Sequence, residues 1–308
     1  MKRVFFDKKT TFIGILTVLV VALSAICALV PVEKRHEPSS ERWMKGLNDS
    51  AYLCDLSIPG THDSGATHSI FDVSGKCQDI SIKKQLQIGV RFFDLRLQLI
   101  NDEFQIVHSF VKQNLKFSET VKDFCEFLSQ NPSEFLLLSI KKEADSQNST
   151  LSFEDALNKE LSPLSNAIYG GDKLPQTVGE VRGRAIIISR SVENMGIPAS
   201  KGWIDDDSFD LGELYVQDNY NVSEIVDKKQ SVISALEYAQ GSSGTLVLNF
   251  TSCYLSNAFP PTYAGSAALE INPWLMGYLK NYNGKTGVIV ADFITQDLAK
   301  AIYGRNFK

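Results

Sequence analysis

The sequence predicts a single α/β domain, a TIM-type (β/α)8 barrel preceded by an N-terminal hydrophobic helix. Short apolar runs alternate with amphipathic stretches after residue 49. About eight such runs suit one barrel of this type. Most of them lack polar alternation, as strands buried on both faces of a parallel sheet do. Ionisable residues are concentrated where the runs end, which is the functional face of such a barrel.

The composition is that of a globular protein with a sizeable core, since 44% of its 308 residues are apolar and 22% are charged. The net charge of −5 argues against nucleic acid as a partner, because phosphate backbones require clustered Lys and Arg. It also argues against attachment to a membrane surface by charge alone. We expect a monomer whose membrane contacts are apolar. The candidates at the barrel rim are Ile70, Phe71, Phe110, Val111 and Phe259 to Tyr263.

The N-terminus predicts export. Residues 1–11 are basic, and residues 12–32 form an uncharged apolar segment about long enough to cross a bilayer. The positive-inside rule then places the rest of the chain outside the cytosol, held by a membrane anchor. The alternative is a cleaved signal peptide and a secreted protein. Residues 33–49 are polar and predict a linker, and residues 50–308 form the catalytic domain.

The predicted elements follow in chain order. Apolar runs predict strands at Tyr52–Ile58, Val90–Leu99, Phe104–His108, Phe135–Ile140, Ala185–Ser189, Leu214–Gln217, Thr245–Phe250 and Gly287–Phe293. Helical periodicity predicts helices at Ser118–Gln130, Val222–Gln240 and Pro273–Tyr282.

The predicted export makes disulfides and glycosylation relevant to this chain. In an exported domain, Cys54, Cys77, Cys125 and Cys253 allow two disulfides in three pairings. None belongs to a CxxC or Cys/His cluster, which disfavours a zinc site. Acceptor sequons stand at Asn48, Asn148, Asn221 and Asn249.

Polar residues at the strand ends are the candidate functional residues. They are His62, Asp63, Asp94, Arg96, His108, Lys141, Arg190, Asp218, Tyr220 and Asp292. A single aspartate at a strand end is usually a turn or a helix cap. Asp94 and Arg96, however, lie within an apolar strand, where burial is costly unless the charges are paired.

This set of side chains suits phosphodiester chemistry. One histidine can accept a proton from an attacking hydroxyl while the other donates one to the leaving oxygen. Arg96 can hold a phosphate in a bidentate fork and stabilise its developing charge. Because Arg96 stands where a metal would be required, we expect neither a metal nor a cofactor.

Six segments together resemble the bacterial-type phosphatidylinositol-specific phospholipases C. The resemblance runs in order from about Trp43 to Tyr303. The segments are SIPGTHDSG (57–65), RFFDLRL (91–97), VHS (107–109), NPSEFLLLSIKKE (131–143), VQDNY (216–220) and ADFI (291–294). The family implies a distorted TIM barrel related to the X region of the eukaryotic phospholipases C.

The resemblance also implies roles. His62 would be the general base on the inositol 2-hydroxyl and His108 the general acid. Arg96 would clamp the phosphate, as calcium does in the eukaryotic enzymes. Three aspartates would support these groups, namely Asp63, Asp94 and Asp292. The inositol site would be lined by Lys141, Arg190, Asp218 and Tyr220.

The implied reaction releases diacylglycerol and inositol 1,2-cyclic phosphate from phosphatidylinositol or from glycosylphosphatidylinositol anchors. The alternative is a catalytically weak X-domain protein that binds phosphoinositide or membrane. A metal-dependent glycerophosphodiesterase-like or sphingomyelinase-D-like barrel would need a cluster of Glu and Asp metal ligands near the first histidine, and the sequence shows no such cluster there. The chain departs from the family at Ser109, where Gly is common, and at Ala291, where Gln is common.

Overall fold

The computed structural model describes residues 39–68, 75–109, 111–256 and 263–308, within a compact unit that spans Pro38–Lys308. The predicted N-terminal segment over 12–32 lies outside the described residues. The strands are β1 (Ser57–Thr61), β2 (Phe92–Ile100), β3 (Glu103–His108), β4 (Val111–Lys116), β5 (Leu136–Lys142), β6 (Ala185–Ser189), β7 (Ile197–Pro198), β8 (Ser208–Asp210), β9 (Leu214–Gln217), β10 (Asn221–Val222), β11 (Leu246–Phe250), β12 (Tyr254–Leu255) and β13 (Gly287–Ala291). The α-helices are α1 (Ile82–Ile88), α2 (Phe117–Gln130), α3 (Phe153–Leu161), α4 (Ile225–Gly241), α5 (Ala264–Asn281) and α6 (Gln296–Tyr303).

The central sheet is a curled, open half-barrel, a distorted form of the TIM-type barrel that the sequence predicts. Its strand order is β7-β6-β5-β2-β1-β13-β11-β9-β8, parallel throughout except at β8, which pairs antiparallel with β9. The hairpin β3-β4 extends β2. Among the described residues no ladder joins β7 to β8. The reason is local, because the strands at both edges are only two or three residues long.

Apolar side chains on the concave face of the sheet stabilise its curled form. One buried cluster contains side chains from strands across the whole sheet, including Ile186, Val216, Leu248 and Val290. Burial of such side chains contributes roughly 1.5–3 kcal/mol each. Gly60 of β1 lies where a Cβ atom would come within 3.0 Å of Phe92 and Val288. A larger residue there would push neighbouring strands apart.

The entry to the domain is a 3₁₀ helix over Ser40–Gly46. Trp43 and Met44 are fully buried in it, and the Trp43 ring stacks on Tyr303 at 5.4 Å between centroids. The predicted linker over 33–49 is therefore wrong from Ser40 onward, because these apolar side chains close the base of the sheet.

Other boundaries also differ from the predicted ones. The predicted strand Tyr52–Ile58 is instead a 3₁₀ turn followed by β1, which contains Pro59 and Gly60. Helix α5 begins at Ala264 and continues through Pro273, where the sequence predicts its start. Because proline favours the first turn of a helix, the sequence prediction placed the start of α5 too late in the chain.

None of the four described cysteines forms a disulfide, so the predicted pairings are not present. Asn249 is fully buried in β11; its side chain donates to Val232 O at 3.0 Å and accepts from Gln217 at 2.7 Å. Its sequon is therefore inaccessible in the folded domain. No helix within the described ranges is both long and apolar enough to span a membrane.

Candidate active site

The predicted site residues converge at the carboxyl ends of the strands, around a cavity of about 650 Å³. This is where the chemistry of an α/β barrel is found. Asp63 and Asp94 lie buried behind the cavity wall. The other eight line the cavity, namely His62, Arg96, His108, Lys141, Arg190, Asp218, Tyr220 and Asp292.

His62 is held between an acid and a guanidinium. It follows β1, and its Nδ1 lies 2.8 Å from Oδ1 of Asp292 at the end of β13. Its Nε2 lies 2.8 Å from Nη2 of Arg96. Because guanidinium nitrogens only donate, Nε2 carries the lone pair and Nδ1–H donates to Asp292. Burial lowers the pKa of His62, but the charge and hydrogen bond of Asp292 together with the charge of Asp63 outweigh burial, and the pKa is raised.

Arg96 is the centre of the ionic network. Its Nε lies 3.1 Å from Asp94 and 3.3 Å from Asp63, and Nη1 lies 3.6 Å from Glu143. Burial would lower the pKa of Arg96, but the carboxylates raise it well above its ordinary value. Asp94 also contacts Arg190 at 3.2 Å. Burial opposes ionisation of Asp94, yet the two guanidinium groups hold the pKa of Asp94 well below its ordinary value. Arg96 and Asp94 are thus both charged at neutral pH.

His108 lies on the opposite side of the cavity at the end of β3. Its Nε2 is 3.8 Å from Oδ2 of Asp63, and its Nδ1 is 3.7 Å from the thiol of Cys77. Burial raises the pKa of Asp63, although Arg96 and both histidines oppose this effect. Ser109, which follows, has a φ of 55°. Ser109 therefore takes a conformation that glycine favours, at the position where the family resemblance indicates Gly.

The wall across the cavity from His62 carries the remaining polar residues. Lys141 lies 2.8 Å from Glu143. Tyr220 donates its hydroxyl to Asp205 at 2.8 Å, and burial together with that bond raises the pKa of Tyr220. Asp218 accepts a 3.3 Å hydrogen bond from the indole of Trp203. These side chains offer charged and neutral hydrogen-bonding groups for a polyhydroxylated ring.

Three residues of the site were missed by sequence reasoning. Glu143 accepts from the amide of Ser109 at 3.3 Å and contacts both Arg96 and Lys141. Trp203 lies under the guanidinium of Arg190, at 3.7 Å from Cζ to the ring centroid. Cys77 lies beside His108. Glu143 ends the same motif as Lys141 and was identifiable; Trp203 and Cys77 stand in connecting segments that carry no periodic signal.

The predicted apolar rim is only partly described. The prediction that Val111 is an exposed rim residue is wrong. Val111 is buried, and its side chain packs against Gly75. Tyr263 is 39% exposed and lines the cavity mouth together with Tyr254. The candidates Ile70, Phe71, Phe110 and residues 259–262 lie outside the described residues.

Among the residues that the structure describes, two groups of side chains have metal-ligand spacing, and both include Cys77. They are His62, Cys77, Asp292 and Asp63, Cys77, His108. Burial raises the pKa of the Cys77 thiol well above its ordinary value, and a neutral thiol is a weak ligand. Arg96 already contacts His62 and Asp63. The donor set therefore suits a guanidinium-centred site better than a resident metal.

The curled sheet and the histidine, arginine and carboxylate side chains at its mouth define an α/β half-barrel protein with a polar cavity at the strand ends. Residues 52–191 match the family model described as phosphatidylinositol-specific phospholipase C, X domain. Over these residues the chain is similar to that family.

Relatives and solved structures agree with the family. The chain is 28% identical to a 1-phosphatidylinositol phosphodiesterase of Staphylococcus aureus, over 92% of each chain. It is 24% identical to a protein of the same name from Listeria monocytogenes, over 88% of this chain and 87% of the other. A solved structure of the S. aureus phosphatidylinositol-specific phospholipase C aligns with a TM-score of 0.77 and 26% identity. That alignment covers 85% of this chain and 98% of the other.

Proposed function

We propose that this protein cleaves phosphatidylinositol to diacylglycerol and inositol 1,2-cyclic phosphate without a metal. One observation carries the proposal: Nε2 of His62 bears a lone pair and lies 2.8 Å from a guanidinium nitrogen of Arg96. The base and the phosphate-binding cation are therefore adjacent. The names of the bacterial relatives support the substrate.

The first half of the reaction falls to His62 and Arg96. An entering phosphate attracts the guanidinium of Arg96, which then releases Nε2 of His62. His62 accepts the proton of the inositol 2-hydroxyl, and that oxygen attacks phosphorus within the same molecule. Asp292 holds the imidazole in the tautomer that leaves Nε2 free, and stabilises the imidazolium that forms. Arg96 stabilises the charge that develops on the phosphate oxygens.

The second half falls to His108. As the bond from phosphorus to the glycerol oxygen breaks, His108 donates a proton to that oxygen, and diacylglycerol leaves. Asp63 faces both histidines, at 3.6 Å from His62 Nε2 and 3.8 Å from His108 Nε2. Its carboxylate favours the protonated form of His62. Water can reverse the roles, with His108 as base and His62 as acid, and hydrolyse the cyclic product slowly.

The inositol ring is bound by the opposite wall. We assign its hydroxyls to Asp218, Lys141 and Arg190, with Tyr220 beside the ring. Asp218 has one hydrogen bond, from Trp203, within the described structure, so a carboxylate oxygen is available to a ring hydroxyl. The same pocket would accept the inositol of a glycosylphosphatidylinositol anchor if the cavity mouth admits the glycan.

The test is cleavage of phosphatidylinositol by the purified chain, with products identified by phosphorus NMR. Inositol 1,2-cyclic phosphate should appear before any inositol 1-phosphate, and the rate should be the same with and without EDTA. Phosphatidylcholine is the control lipid. Release of free phosphoinositol without a cyclic intermediate would contradict the mechanism.

The second candidate is a phosphoinositide-binding protein of low activity. The contacts of His108 favour it, because 3.7 Å and 3.8 Å to Cys77 and Asp63 are long for hydrogen bonds. Binding of inositol-containing vesicles without turnover would identify this function.

For location, we propose export with the catalytic domain outside the cytosol, anchored by residues 12–32 or released if that segment is cleaved. The apolar segment and the basic residues before it support the proposal. Protease accessibility on intact cells tests export. Separation of membranes from medium then tells the anchored form from the secreted one.

A further inference from the structure

A fully buried lysine stands behind the inositol-facing wall. Lys228 lies in the first turns of α4 and has no exposed surface. It forms no ion pair in the part of the chain that the structure describes, and its amine bonds only to uncharged oxygens. Lysine is almost never fully buried unless paired. Burying an unpaired cation costs free energy. We therefore expect the contacts of the Lys228 amine to serve a function.

The amine of Lys228 holds the end of β9. It donates to Oε1 of Gln217 at 2.9 Å and to the carbonyl oxygen of Asn219 at 2.6 Å. These two residues flank Asp218. Gln217 in turn donates to the carbonyl of Phe250 at 2.8 Å, at the end of β11. The lysine therefore ties the segment around Asp218 to the neighbouring strand.

The charges that face the amine come from several elements. Burial lowers the pKa of Lys228 to about 8, while Asp218, Cys253, Asp292 and Asp206 act in the opposite direction. Asp218 is the first of these, and its own carboxylate contacts Trp203. Protonated Lys228 thus places a positive charge behind the carboxylate that we assign to an inositol hydroxyl.

We propose that Lys228 is a positioning residue for substrate, which holds Gln217–Asn219 so that the carboxylate of Asp218 faces the cavity. The proposal rests on the proposed function, since Asp218 matters only if the cavity takes inositol. It acts on affinity for the ring rather than on the proton transfers of His62 and His108.

The test compares Lys228→Met with Lys229→Met in the full chain. Lys229 is the next residue on the same helix, but it pairs with Glu270 at 2.6 Å on the outside of the domain. The assay is hydrolysis of water-soluble inositol 1,2-cyclic phosphate, with calorimetric binding of myo-inositol as a second readout. Loss of hydrogen bonds from a charged group should raise KM and the inositol Kd by about tenfold in Lys228→Met. The kcat should stay near that of the wild type, and Lys229→Met should change neither constant.

A pH profile separates positioning from a merely structural role. In the wild type, KM should rise as pH increases through about 8, where Lys228 loses its charge. Lys228→Gln keeps a hydrogen-bond donor of nearly the same reach but no charge, and this variant tests the proposal if Lys228→Met does not fold. Its KM should be high and independent of pH in this range.

Wild-type KM in both Lys228 variants, with only a lower Tm, would overturn the proposal and leave the lysine a structural role. If the wild type itself neither binds inositol nor hydrolyses the cyclic phosphate, the proposed function fails and this inference fails with it. Activity in the wild type with unchanged variants contradicts the inference alone.

Discussion

Arg96 donates to Nε2 of His62 at 2.8 Å, so the two groups assigned to phosphate binding and to proton abstraction are in direct contact before substrate arrives. Nε of the same guanidinium contacts Asp63 and Asp94. The carboxylates of Asp63 and Asp94 therefore hold one side of the Arg96 guanidinium, while its Nη2 points at His62. The order of events follows from this contact, because the base becomes free only when a phosphate engages the guanidinium.

Arg96→Lys should lower kcat/KM for phosphatidylinositol by about 10²–10³-fold, because a point charge cannot reproduce the planar fork. The wild-type rate should not change in EDTA. The measurement is initial rate on mixed micelles, with circular dichroism to verify folding. Loss of wild-type activity on chelation, restored by calcium, would show that a metal supplies the charge instead.

His62→Ala and His108→Ala should each lower the rate by about 10²–10⁴-fold. A substrate analogue with a good leaving group needs little help from an acid, so it should restore His108→Ala much more than His62→Ala. The comparison of both variants on both substrates distinguishes base from acid. Equal rescue of the two variants is the result that contradicts the assignment.

Asp292→Asn should shift the acidic limb of the kcat/KM profile to lower pH by about one unit or more. The base must be neutral to act, and Asp292 raises the pKa of His62 against the opposing effect of burial. Removing that charge lets the pKa of His62 fall. The pH dependence of phosphatidylinositol cleavage, in which His62 is the base, measures the shift. An unmoved limb would mean that another group controls it.

Glu134→Ala should destabilise the domain by about 3–5 kcal/mol, because it leaves a buried guanidinium unpaired. Glu134 and Arg91 are both fully buried and lie 2.9 Å apart at the base of the sheet. Denaturant unfolding gives the free energy. Glu126→Ala is the matched control, since its pair with Lys83 is exposed and should matter little. Similar losses of unfolding free energy in both variants would show that burial of the Glu134–Arg91 pair does not cause the destabilisation.

Tyr254→Ser and Tyr263→Ser should weaken cleavage of phosphatidylinositol in vesicles while sparing hydrolysis of soluble cyclic phosphate. Both rings are exposed at the cavity mouth, and exposed aromatic side chains there suit a lipid surface. Tyr52→Ser is the control, since Tyr52 is 57% exposed before β1, at the opposite end of the sheet.

Vesicle binding should also depend little on salt, because a net charge of −5 leaves little attraction to screen. An equal loss on the two substrates would indicate a damaged site rather than a lost membrane contact.

The sequence predicted the bounds of some elements correctly and missed others. Strands β6 and β9 have the predicted bounds, because their apolar runs are flanked by clear turns. Helix α1 was missed because it has only seven residues. The sheet is left open at edge strands as short as β7, and no periodicity in the sequence reveals such strands.

The ten candidate residues could be predicted to lie together because strand ends converge in this fold, so order along the chain implied proximity in space. What could not be predicted is which partner each side chain contacts. The bond between His62 and Arg96 joins β1 to β2 through side-chain rotamers. Lys228 carried no signal, since a lysine in an amphipathic helix is ordinarily on its solvent face.

The position of Asn249 constrains how the protein can be produced. Its side chain forms hydrogen bonds with Val232 and Gln217 inside the domain. The same residue is the first of an Asn-Phe-Thr glycosylation sequon. Oligosaccharide transfer modifies a chain as it emerges, before β11 can be buried. A sugar at this residue is incompatible with the native sheet, so secretion from a glycosylating host should give a fraction of chains that never reach the native state. Bacterial expression, or Asn249→Gln in a eukaryotic host, avoids that loss.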